Sequence, residues 1–133
     1  MMTQEIEKYH DHAIELRGRG YNCAQCVLMS LSGRLNIDEA LAAKLTAAFG
    51  SGFAATGEIC GAVSSLGIAV GLAENDSSPK AKINAMKKTK EMFERFKKEN
   101  GDRFRCCDLK GKADSRSCPD LIRQSLSIFL EAT

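Results

Sequence analysis

The sequence predicts an all-α protein, a compact single-domain bundle of about six helices around a buried central helix of small residues. Two patterns carry this expectation. Apolar residues recur at helical spacing in one segment after another, and no stretch alternates apolar and polar residues as a half-buried strand would. Composition agrees: with no Trp and six Phe, the core must be filled by Leu, Ile, Val, Ala and Met, which suits helices packed closely through small residues. A chain of 133 residues is long enough for one real hydrophobic core, so residues 1–133 read as one helical, cysteine-containing domain.

The first helix is expected over Thr3 to Arg17, with Ile6, Tyr9, Ala13 and Leu16 on one face and Gly18 and Gly20 ending it. A second starts after Asn22, whose side-chain oxygen suits an N-cap, and presents Ala24, Val27, Leu28, Leu31 and Leu35. Asp38 caps a third, in which Leu41, Leu45 and Ala48 share a face. Residues 49–58 read as a glycine-bearing loop. The fourth helix, from about Ile59 to Ala73, is apolar or small on all sides, the pattern of a helix buried at the centre of a domain. After a turn over Glu74–Pro79, Pro79 opens a fifth helix reaching about Lys98, with Ile83, Met86, Phe93 and Phe96 inward. Its lysines are interspersed with acids and read as a solvated face. Residues 100–118 form a long polar connection, and Pro119 opens a last helix carrying Leu121, Ile122, Leu126 and Phe129.

A formal charge of +2 gives no concentrated basic face for nucleic acid or an anionic membrane. The polar, acidic N-terminus lacks the basic and apolar regions of a secretory signal. The longest apolar stretch, Ile59 to Ala73, is too short and too interrupted by glycine and serine to cross a bilayer. These features lead to the expectation of a cytoplasmic protein with no membrane insertion, a redox partner of unknown identity and scope for a homo-oligomer.

In a reducing compartment, six cysteines are buried hydrophobes, metal ligands or redox groups, not a disulfide framework. Cys23 and Cys26 form a Cys-Ala-Gln-Cys motif directly after Asn22. Cys23 falls at the first helical position, where free amides and the helix dipole favour a thiolate. Cys26 lies one turn on, placed either to resolve a mixed disulfide or to pack as a small core residue. Cys60 follows a glycine-rich approach, and its neighbours Gly61 and Ala62 leave room around the sulfur; the competing reading is a small residue at a helix contact. Cys106 and Cys107 follow Arg103 and Arg105, and their adjacency argues against a disulfide between them. Cys118, just before Pro119, takes the cap position of the last helix. Cys23, Cys60 and Cys118 are thus expected at or near helix starts that converge.

Other chemistries fit less well. His10 and His12 are two apart on a helix and do not face the same way, so both are expected at the surface. A zinc ribbon needs a second closely spaced ligand pair, which the wide spacing of Cys106 and Cys118 does not supply. Gly50-Ser51-Gly52 lacks the Gly-Lys-Ser/Thr end of a phosphate-binding loop. The helical peroxidase-like proteins carrying Cys-x-x-Cys place a histidine where Ser30 stands. No carboxylate pair stands out as a general acid and base.

Four segments, Gly20-Tyr21-Asn22-Cys23-Ala24-Gln25, Phe49-Gly50-Ser51-Gly52 through Cys60-Gly61-Ala62, Cys106-Cys107-Asp108-Leu109 and Cys118-Pro119, together resemble the redox-active C_GCAxxG_C_C family. The resemblance runs over nearly the whole chain, in order and at matching separations. It implies a small helical redox protein whose signature cysteines are Cys23, Cys60, Cys106 and Cys118, with Cys26 and Cys107 additional to the signature. Ser65 stands where the second glycine of the family's Cys-Gly-Ala-x-x-Gly belongs.

Three functions compete on this reading. The first is a thiol–disulfide or electron-transfer protein, an oxidoreductase or a carrier, with Cys23 attacking and Cys26, Cys60 or Cys118 resolving. The second binds an iron–sulfur cluster or another thiophilic metal such as zinc through Cys23, Cys60, Cys106 and Cys118. The third is a helical interaction module whose cysteines only pack. The first and third need no cofactor.

Overall fold

The computed structural model describes residues 3–110 and 117–133. They form seven helices, α1 (Thr3–Gly18), α2 (Cys23–Leu31), α3 (Glu39–Thr46), α4 (Gly61–Glu74), α5 (Ala81–Glu99), α6 (Cys106–Lys110) and α7 (Cys118–Ala132). The described residues contain no strand, only an isolated antiparallel bridge between Ile59 and Arg105. The fold is all-α, and none of these helices is long and apolar enough to cross a membrane.

Helix α2 is the hub. It packs against α1, α3, α4 and α7, and all of its residues but Gln25 are buried. The polar exception completes a capping box: the Gln25 amide donates to Asn22 Oδ1 at 2.9 Å, and the Asn22 amide donates to Gln25 Oε1 at 3.0 Å. This fixes Cys23 as the first helical residue, as expected. Helix α4 packs against α2, α5 and α7 and buries Gly61, Ala62, Val63, Ser65, Leu66, Ala69 and Val70. Ser65 is fully buried and donates to the Ala62 carbonyl at 2.7 Å, so serine serves at the position the signature gives to glycine.

Several local expectations are corrected. The polar connection over 100–118 contains a short seventh helix, α6; its residues 111–116 lie outside the described ones, as do Met1 and Met2. Helix α4 begins at Gly61 rather than Ile59, because the Cys60 amide donates to the Phe104 carbonyl at 2.8 Å and holds Cys60 extended. Pro79 precedes α5, whose N-cap is Lys80. The inward face expected of α5 is half wrong. Met92 and Phe96 are buried, whereas Ile83 and Met86 are each 68% exposed. Met86 lines an open groove of about 530 Å³ between α4 and α5, together with Val63, Ser64 and Gly67. Helix α3 buries Ala42 and Thr46 and turns Leu41 and Leu45 outward, and Ala48 is exposed in the turn beyond its end. His10 is buried rather than at the surface, with Nε2 3.1 Å from Ser127 Oγ, joining α1 to α7. His12 is more open and meets Glu39 at 2.9 Å. Cys118 is the first residue of α7, not its cap; Ser117 accepts from the Asp120 amide at 3.2 Å.

Candidate functional site

Between α3 and α4 the chain runs through a loop of unusual backbone. Ser51, Gly52, Phe53, Ala54 and Ala55 are successive left-handed residues, with φ from 54° to 75°, and Gly57 follows at 76°. Each non-glycine residue in this conformation costs roughly 1–2 kcal/mol, so the loop is held by its surroundings. The Phe53 amide donates to the Phe49 carbonyl at 3.3 Å, and the Glu58 amide donates to that of Gly52 at 2.9 Å. The far side of the loop binds the start of α6: the Cys106 amide donates to the Glu58 carbonyl at 2.7 Å and the Cys107 amide to that of Gly57 at 3.2 Å. Arg105 reinforces this junction with two bonds to the Glu58 carboxylate, at 3.2 and 3.1 Å.

This arrangement brings four helix starts to one place. Cys23 opens α2, Cys60 precedes α4, Cys106 opens α6 and Cys118 opens α7. The four cysteines line one small pocket of about 60 Å³ together with Arg17, Asn22, Ser51, Lys110 and Leu121. The close approach depends on glycine at two points. A Cβ on Gly61 would lie 2.5 Å from the Phe49 carbonyl oxygen and 2.9 Å from Cys23 Sγ. A Cβ on Gly52 would lie 2.7 Å from Cys106 Cβ and from the backbone of Glu58.

The four thiols are not equivalent. Cys23 and Cys60 are buried, at 8% and 2% exposure, while Cys106 and Cys118 are partly open. Burial pushes the Cys60 thiol up to about 12, with the Cys23 charge adding to the rise and the Ala62 and Val63 amides opposing it. The helix-start assistance expected at Cys60 therefore exists but is outweighed by desolvation. Burial also raises Cys106, chiefly against the pull of Lys110. Lys110 donates to Cys118 Sγ at 3.0 Å, and this contact is the main reason that its ammonium is held above the ordinary lysine range. Arg17, the other cation of the pocket, donates to the Tyr21 carbonyl at 3.2 Å.

The two additional cysteines lie apart from the pocket lining. Cys26 is fully buried, its thiol donates to the Tyr21 carbonyl at 3.6 Å, and burial raises it to about 11. Cys107 is exposed, 3.8 Å from Asp108 Oδ1. Sequence reasoning missed Arg17, Lys110 and Ser51, and it read Asn22 only as a cap. For Lys110 a signal was present: it stands four residues after Cys106, the spacing of one helical face.

Among the described residues, no three His, Cys, Asp or Glu side chains are grouped so as to hold a metal ion. The four thiols of the pocket do not form such a set. Residues 21–132 match the sequence model of the C_GCAxxG_C_C family, described as a putative redox-active protein. No curated protein and no solved structure matches the chain.

Proposed function

We propose, from the premise that the chain belongs to the C_GCAxxG_C_C family, that it is a thiol–disulfide redox protein working through one dithiol–disulfide couple in this pocket. One observation carries the proposal: Cys23, Cys60, Cys106 and Cys118, on separate elements of the chain, line a single pocket. Packing alone does not favour such a grouping beside two cations.

The couple is reached at Cys118. Its sulfur is partly open and accepts from the Lys110 ammonium at 3.0 Å, so it is both reachable and held beside a cation. The first attack assigned to Cys23 on the sequence moves to Cys118 for that reason, since Cys23 is nearly enclosed. Cys23 and Cys106 both lie within electrostatic reach of Lys110 and are the resolving thiols available to it. Forming the disulfide delivers two electrons and two protons to an oxidant, and a thiol reductant reverses the step.

Equilibration in dithiol–disulfide buffers, followed by acid quench, alkylation and mass spectrometry, tests this. Two thiols among the four are expected to cycle together. Cys118→Ser should abolish the cycling and Cys107→Ser should leave it intact. A constant thiol count across all buffers, or stoichiometric iron and sulfide in protein purified without oxygen, would overturn the reading.

A further inference from the structure

We infer that the oxidant of this couple is a small hydroperoxide, reduced inside the pocket by Cys118. The inference rests on the thiol-redox reading above and goes beyond it by naming the substrate class. Its first support is size. A pocket of about 60 Å³ holds only a few atoms, given that a single water needs roughly 10–15 Å³ on the same measure. Hydrogen peroxide fits such a space, whereas a peptide disulfide with its flanking backbone does not enter it.

The second support is charge. Among the described residues lining the pocket, the charged side chains are Arg17 and Lys110, both cationic, and the neutral polar groups are Asn22 and Ser51. A metal cation approaching the thiols would meet these two positive charges. A peroxide has the opposite need, because negative charge passes from the attacking sulfur to the departing oxygen and fixed cations stabilise it throughout.

The chemistry balances. The Cys118 thiolate attacks one oxygen of ROOH; the S–O bond forms, the O–O bond breaks, sulfur loses two electrons, and the leaving RO⁻ takes a proton from the Lys110 ammonium. The thiol of Cys23 or Cys106 then attacks the Cys118 sulfenic acid. An S–S bond forms, the S–O bond breaks, and hydroxide leaves as water with the attacking thiol's proton. A thiol reductant returns two electrons and two protons to restore both thiols.

The test is site-resolved oxidation of the reduced, full-length protein by hydrogen peroxide. Exposed Cys107, which lies outside the pocket lining and within electrostatic reach of Arg105, serves as the internal reference. Cys118 should be oxidised roughly 100-fold faster than Cys107, with two thiols lost per peroxide consumed. In a Cys23→Ser/Cys106→Ser double variant, a sulfenic acid at Cys118 should be trapped by dimedone. Lys110→Met should slow the reaction roughly tenfold or more and Lys110→Arg should restore most of it, which a merely structural lysine would not do. Cumene hydroperoxide, too bulky for the pocket, should lose the advantage over Cys107. Equal rates at Cys118 and Cys107 with hydrogen peroxide, while oxidised dithiothreitol still cycles a thiol pair, would overturn the hydroperoxide assignment and leave the redox reading standing. If neither oxidant changes the thiol count, the redox reading fails as well. The wild-type comparison and the Lys110 variants carry the test even if a cysteine variant fails to fold.

Discussion

At Cys60 two effects act in opposite directions and burial is the larger. The Ala62 and Val63 amides favour a thiolate, yet the group sits at about 12 because almost no solvent reaches it. At pH 8 its thiolate fraction is then on the order of 10⁻⁴, so it is a poor nucleophile. Partial alkylation of the reduced protein with iodoacetamide should modify Cys107 and Cys118 first and Cys60 and Cys26 last, read by peptide mass spectrometry. The same shift has a consequence for stability. Below about pH 9, the ordinary thiol value, folded and unfolded chains both hold this proton. Between about 9 and 12 the unfolded chain releases it and the folded chain keeps it, so stability must fall as pH rises across that window. Urea midpoints of the wild type should decline more steeply there than those of Cys60→Ser. Parallel declines would show that Cys60 is better solvated than its position implies.

Among the elements, the left-handed loop over residues 51–57 decides whether the pocket exists, since it seats α6 against the start of α4. Its glycine and its alanines should therefore respond to mutation with opposite signs. Gly52→Ala puts a Cβ within 2.7 Å of Cys106 and of Glu58 backbone, and should destabilise the protein by roughly 1–3 kcal/mol and disturb Cys106. Ala55→Gly relieves an exposed residue at φ 61° and should stabilise by about 0.5 kcal/mol after the entropy of the added glycine is counted. Chemical denaturation of both variants checks the pair. None of this loop geometry was legible in Phe-Ala-Ala-Thr, residues with no preference for left-handed backbone. Helix positions were legible because they rest on periodicity and on local caps such as Asn22 and Asp38. Which face of α3 or α5 is covered was not, because that depends on the size of side chains across the contact, such as Gly67 beneath Thr89.

For the whole molecule, the convergence of Cys23, Cys60 and Cys118 was expected from their recurrence at helix starts, and the family resemblance added Cys106 as a signature cysteine. The cations that accompany them were not, since Arg17 and Lys110 come from parts of the chain that only the tertiary fold unites. On the thiol-redox reading proposed above, their asymmetry sets the direction in which the couple is poised. Lys110 donates to Cys118 Sγ at 3.0 Å, a contact made to the reduced sulfur and weakened when that sulfur becomes part of a neutral disulfide. It therefore favours the reduced protein and makes the couple more oxidising. Lys110 itself is exposed, so solvent screening limits this contact to at most about 1 kcal/mol, or about 20 mV for a two-electron couple. Lys110→Met should accordingly lower the reduction potential by up to about 20 mV in a glutathione redox titration at neutral pH. A rise instead would mean that the lysine stabilises the disulfide form, and a much larger fall would mean that the pocket closes over this pair in solution and desolvates it.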